Sequence, residues 1–145
     1  MPNISGSFSG RISLQTNASV QDAPGHELNL AQINGSQKSA DANWNGAKLT
    51  YWGVADLVGG SGKQRGYYVN ERADGDRDIG TFEGKITTVG SQVTLEGTYT
   101  NTGGTGRFQG LTGGGTYKGR ATSPTEIEMT WQGTYQLAGA KAQAG

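Results

Sequence analysis

Three aspartates at alternate positions, Asp74, Asp76 and Asp78, carry the D-x-D-x-D opening of a calcium-binding loop. The rest of such a loop is missing. Gly80 sits two residues after the last aspartate, and no helical pattern flanks the run. Arg72 and Arg77 stand close by, so the segment reads as a solvated, charge-neutralised hairpin tip with no metal. His26 is the only histidine, which excludes a histidine-dependent triad and a multi-histidine metal site. Beside Pro24-Gly25 it reads as a hydrogen-bonding residue at a turn or strand start. The absence of Cys removes any disulfide, thiolate nucleophile or Cys-based zinc site.

The aromatic residues are the most suggestive group. Most of them are expected to fill a core and cover glycine gaps on neighbouring strands. A sharper reading has Tyr51, Trp52, Tyr67, Tyr68, Tyr99 and Trp131 line a ligand pocket, with Asn70 and Arg72 supplying polarity. Glu71 is then the candidate catalytic acid or base, on condition that it shares the lumen with Tyr67 and Trp52, where desolvation would raise its pKa.

The elements that must position these residues are strands. Ile4, Gly6, Phe8, Gly10, Ile12 and Leu14 alternate with polar residues, a period of two that predicts a strand with those six on one face. Residues 16–25 read as a polar connector, and His26 to Ile33 as a strand closed by the turn dipeptide Asn34-Gly35. A polar loop follows, with Trp44 alone before a second Asn-Gly at Asn45-Gly46. From Ala47 to Val58 both faces are apolar, which predicts cover on both sides, by the lumen and by a partner subunit or overlying segment. Gly59 to Gly62 turns the chain into a strand over 65–72. Further strands are expected over 80–88, 92–101, 114–122 and 125–137. They share a Gly-Thr-aromatic repeat at Gly80, Gly97, Gly115 and Gly133, at intervals of 17, 18 and 18 residues. That repeat reads as a glycine bend beside a packed aromatic in one curved antiparallel meander.

Between the last strands lies Gly104 to Arg120, GTGRFQGLTGGGTYKGR. Its only bulky apolar side chains before Tyr117 are Phe108 and Leu111, three apart, which suits a single pinned turn that drops two plugs onto a core. A phosphate-binding loop also clusters glycines, but it must open a long helix, and no helical pattern follows here.

Eight antiparallel strands with almost no helix close a small β-barrel, with a two-sheet sandwich as the alternative. The 145 residues suffice for one such domain over 1–137, leaving 138–145 as a flexible tail. Twenty-six glycines without a three-residue period exclude collagen. Twelve basic and twelve acidic residues cancel without clustering, so no nucleic-acid partner is indicated, and no apolar run suits a membrane span. Polar alternation starts directly after Met1, which points to the cytoplasm unless a signal peptide once preceded it.

The run Gly104-Thr105-Gly106-Arg107-Phe108-Gln109-Gly110-Leu111-Thr112-Gly113, followed by a strand, resembles the signature of the allene oxide cyclase barrel-like superfamily. Allene oxide cyclases, plant dirigent proteins and small bacterial relatives make up that group. Segments similar to those of the bacterial members occur at Ala23-Pro24-Gly25-His26, Tyr51-Trp52-Gly53 and Thr122-Ser123-Pro124-Thr125-Glu126. The resemblance implies an eight-stranded, calycin-like barrel whose lumen takes a hydrophobic or aromatic small molecule, often in a dimer or trimer. Catalytic residues do not carry over. The plant cyclases are thought to use a cysteine that this chain lacks, and the dirigent Asp and Arg pairs have no defined counterparts here.

Three functions are therefore open: a cofactor-free binding protein for a hydrophobic or aromatic small molecule, a cofactor-free cyclase or isomerase, and a homo-oligomeric interaction module with a filled lumen. The first two separate on whether polar groups converge in the pocket. The third predicts no pocket at all.

Overall fold

The computed structural model describes residues 2–138, so nearly all of the tail expected from residue 138 onward lies outside the described residues. Eight strands follow one another: β1 (Asn3–Ser19), β2 (His26–Ser39), β3 (Lys48–Val58), β4 (Ser61–Glu71), β5 (Arg77–Val89), β6 (Gln92–Gly104), β7 (Thr112–Ser123) and β8 (Glu126–Gln136). Each pairs antiparallel with the next, and β8 returns to β1 from Asn3↔Thr134 to Arg11↔Glu126, closing the barrel. Closure leaves no unpaired strand edge among the described residues.

Alternation along the strands sorts side chains between wall and lumen. Phe8, Ile33, Leu49, Tyr51, Tyr68, Phe82, Leu95 and Ile127 form the main core inside. The Gly-Thr-aromatic repeat explains how so many rings fit. Its glycines and aromatics both face inward, and a side chain at Gly80 would collide with the Tyr68 ring, one at Gly97 with the Tyr117 hydroxyl, and one at Gly133 with that of Tyr99. Tyr68 and Tyr117 fill gaps left by glycines on adjacent strands, and Tyr99 reaches across β7 to the gap at Gly133 on β8.

Two turn expectations are corrected. Asn34-Gly35 is not a hairpin turn, because β2 runs through it to Ser39, with Gly35 opposite Gly10 on one side and Leu49 on the other. Phe8 lies across Gly10 and Gly35, where any Cβ would strike the ring, so the glycine there serves packing. The true connection is built further on, around Asp41 and Asn45-Gly46, with Gly46 at φ 81°. The connector expected over 16–25 is also shorter, since β1 extends to Ser19. Along β1 a register shift between Ile12 and Leu14 reverses the facing, so Leu14 points outward, half exposed, and not inward with Ile12.

One end of the barrel is plugged. The connections over 40–47, 72–76 and 105–111 meet there, and Ile4, Trp44, Phe108, Leu111 and Tyr135 form a second core. A single 3₁₀ turn, Gly106–Phe108, presents Phe108 at 0 % exposure and Leu111 at 1 %, the two plugs expected of this segment. Trp44 meets Phe108 and Tyr135 edge to face, with ring centroids 5.5 and 4.8 Å apart.

Candidate functional site

The lumen between the main core and the plug holds a cavity of about 90 Å³. Tyr51, Tyr68, Asn70, Tyr99 and Trp131 border it, all of them among the residues whose types suggested a pocket. The others divide. Trp52 and Tyr67 sit opposite each other in register on the outer wall, Tyr67 67 % exposed, with the Trp52 indole N–H donating to Gln32 Oε1 at 2.9 Å. Glu71 shares that outer face, half exposed, and accepts from Arg77 Nε at 2.7 Å. The condition for its catalytic role is therefore not met. Arg72 lies beyond the cavity, inside the plug.

The three aspartates do not converge. Asp74 and Asp76 meet Arg107 at 2.6 and 3.4 Å on the surface. A backbone hydrogen bond from Asp76 and then the Arg107 guanidinium hold the Asp74 carboxyl below its usual value. Asp78 instead points inward, fully buried, and pairs with Arg72 Nη1. Among the described residues no group of three potential metal ligands gathers.

Asp78 anchors a hydrogen-bonded chain along the inner wall. Trp131 Nε1 donates to Gln37 Oε1 at 2.9 Å, Gln37 Nε2 to Asn70 Oδ1 at 3.1 Å, and Asn70 Nδ2 to Asp78 Oδ2 at 3.1 Å. Desolvation raises the Asp78 carboxyl, with the Arg72 charge and the Asn70 amide pulling it back. Arg72 lies over the face of Phe108, 3.9 Å from its centroid, and its Nε donates to Asn43 O at 2.8 Å. Elsewhere in the lumen Tyr68 Oη donates to Asn101 Oδ1 at 2.5 Å, and Gln64 Nε2 donates to Tyr117 Oη at 2.9 Å.

One lumenal group is left out. The Tyr51 hydroxyl is buried without a partner; apart from Arg72 Nη2, in the guanidinium stacked on Phe108, it is the only such side-chain atom among the described residues. Tyr51 is 6 % exposed, and its ring is clamped edge to face by Phe8 and Phe82, at 6.0 and 5.4 Å. A buried donor without an acceptor costs about 1–3 kcal/mol. Burial also holds the lumenal phenols protonated: it raises Tyr51 and Tyr68, and pushes Tyr99 and Tyr117 up to about 12. They are hydrogen-bonding groups and not bases.

Gln37, Gln64, Phe82, Asn101 and Tyr117 were not singled out as site residues, although the glycine repeat places Phe82 and Tyr117 on the face of Tyr99. A broad open hollow runs round the outside of the barrel, bordered by charges such as Lys38, Lys63, Lys85 and Glu96 and by the apolar Leu28 and Val54.

His26 belongs to neither core. Its Nδ1 and Nε2 lie 2.5 and 2.6 Å from the carboxylates of Asp22 and Asp56, clasping the β1–β2 connection to β3 at the end opposite the plug. Both ring nitrogens donate when the imidazole is charged. The hydrogen bonds to Asp22 and Asp56 accordingly raise its pKa, and that to His26 lowers that of Asp22. No protein family matches the chain, and neither does any curated protein.

Proposed function

We propose that this barrel is a small-molecule-binding protein whose ligand sits in the lumen. The observation that carries the reading is the lumenal cavity itself, bordered by apolar rings and by the polar side chains of Gln37, Gln64, Asn70 and Asn101. A filled structural core leaves no such void, whereas a binding site needs one with a few polar groups in an apolar wall. The cavity also bounds the ligand. Binding pockets for drug-sized molecules run to roughly 300–1,000 Å³, so this lumen takes a much smaller molecule. Native mass spectrometry of the purified protein, followed by denaturing extraction, tests the reading. One small added mass per barrel supports it, and a bare chain with no thermal shift across a panel of small neutral compounds contradicts it.

The cyclase or isomerase reading draws less support. The ionisable groups bordering the cavity are Asp78 and five tyrosines. Asp78 is held by Arg72 and Asn70, leaving conformational restriction as the available contribution to a reaction. Kinship with the allene oxide cyclase barrel-like superfamily is proposed on the Gly104–Gly113 segment, and the closed eight-stranded barrel with its Phe108–Leu111 plug is compatible with it.

A specific observation favours self-association in addition. Leu14, Leu28, Leu30, Trp52, Val54 and Tyr67 form an exposed apolar patch on the outer faces of β1–β4. Patches of large apolar side chains on this scale mark interaction sites. Asp56, Lys63, Arg65 and Glu83 border it, so the rim carries both signs and can meet its own copy across a symmetry axis. Sedimentation analysis is expected to show a dimer or trimer that Val54→Lys with Tyr67→Lys reduces to monomer. A monomer at high protein concentration would contradict this reading.

A further inference from the structure

Resting on the lumen as a binding site, we infer that its ligand is an uncharged molecule of about three or four heavy atoms that joins an apolar group to a hydrogen-bond acceptor and a donor, as a small primary amide does. Volume sets the size. A cavity of about 150 Å³ lined by apolar side chains holds benzene, so the 90 Å³ here scales to about three or four heavy atoms.

The free polar groups set the chemistry. Gln64 donates through Nε2 to Tyr117, and Asn101 accepts through Oδ1 from Tyr68, which leaves Gln64 Oε1 and Asn101 Nδ2 over. The Tyr99 hydroxyl likewise has no hydrogen-bond partner among the described residues, and all three side chains border the cavity. Only the Tyr51 hydroxyl and Arg72 Nη2 are both sealed and unpaired among the described residues. Tyr99 Oη, Gln64 Oε1 and Asn101 Nδ2 therefore open onto space that a ligand can reach, and the Tyr51 hydroxyl takes no part. Two donors on β6 and one acceptor on β4 result. A ligand carbonyl accepts from Tyr99 and Asn101, while a ligand N–H donates to Gln64. Burial pushes the Tyr99 phenol up to about 12, so it keeps its proton at neutral pH and donates.

The rest of the wall sets the apolar part and the charge. Phe8, Leu49 and Met129 come from β1, β3 and β8, and the closed strand order puts β8 across the barrel from β4. Water needs two to four polar partners, so water held at Gln64 would leave hydrogen bonds facing apolar side chains, where a methyl group packs instead. The one carboxylate bordering the cavity is already paired with Arg72. A charged ligand would enter without a free counter-ion, a desolvation that the site does not repay.

Four probes of one shape test this by NMR titration of wild type, Tyr99→Phe and Gln64→Leu. Acetamide has an acceptor and a donor, acetone the acceptor alone, 2-methylpropene neither, and acetate a charge. Comparing one probe between proteins cancels that probe's own hydration. Tyr99→Phe is expected to weaken acetamide and acetone about fivefold, the effect of one neutral hydrogen bond, and to leave 2-methylpropene unchanged. Gln64→Leu should weaken acetamide by about the same factor and neither of the other neutral probes. Acetate should bind none of the three proteins. Variants that affect all neutral probes alike overturn the ligand class but leave the lumen as a site. Binding of acetate overturns the neutrality. Binding of no neutral probe to wild type, with water alone in the cavity, overturns the lumen reading itself. Unchanged binding of 2-methylpropene shows that a variant is folded, and each variant decides its own half of the inference if the other fails to fold.

Discussion

Arg72 and Asp78 form the one ion pair of the described residues with both side chains buried, and the plug is built over it. Removing one partner of such a pair leaves a charge stranded in low dielectric. Arg72→Leu is therefore expected to destabilise the fold by about 3–5 kcal/mol in urea unfolding; a loss under 1 kcal/mol would mean that water reaches Asp78. Tyr51 makes the opposite case. Its hydroxyl has no partner, so in ligand-free protein Tyr51→Phe should be neutral or stabilising by up to about 1–3 kcal/mol. A clear loss of stability would show that the hydroxyl is already satisfied. The division of candidates between lumen and wall was only half legible at this scale. Alternation separates Tyr51 from Trp52 and Tyr68 from Tyr67, but β3 is apolar on both faces, and nothing in one strand says which face is inside. The glycines say it. Rings turn toward the face on which neighbouring strands lack side chains, as Tyr68 does over Gly80.

Elements show where local signals compete with packing. Asn34-Gly35 has the composition of a tight turn and lies mid-strand, because Phe8 needs the space above Gly35. Gly35→Ala should accordingly destabilise by about 1–3 kcal/mol through overpacking, measured by thermal unfolding; an unchanged midpoint would contradict that packing role. The 105–111 segment was legible because Phe108 and Leu111 are isolated among glycines and have only one place to go. Phe108→Ala is expected to cost about 3–5 kcal/mol. The clasp at His26 makes stability depend on pH. Its folded-state pKa lies above the ordinary 6.5, so its contribution is fully present below pH 6.5 and is lost as the pH rises through the raised value. Asp22 lies below 3.8, so its share is present above that and fades as the pH falls through the lowered value. The unfolding midpoint of wild type should decline above pH 6.5 more than that of His26→Gln; parallel curves would remove the clasp from the account.

For the whole molecule, eight strands and their order were legible because each carries alternation and ends in turn residues, and closure follows from β8 having β1 as its partner. The polar contents of the lumen were not. Gln37, Gln64, Asn101 and Asp78 come from four strands and meet only across the closed barrel, so no local pattern brings them together. What distinguishes this lumen from a filled core is a small void bordered by polar side chains as well as rings. The most direct measurement is a crystal structure, at a resolution that shows ordered atoms in the cavity, of protein grown with a panel of small neutral compounds. The account predicts non-protein density for one small organic molecule in the cavity. A cavity that is empty, or holds water alone, would contradict it.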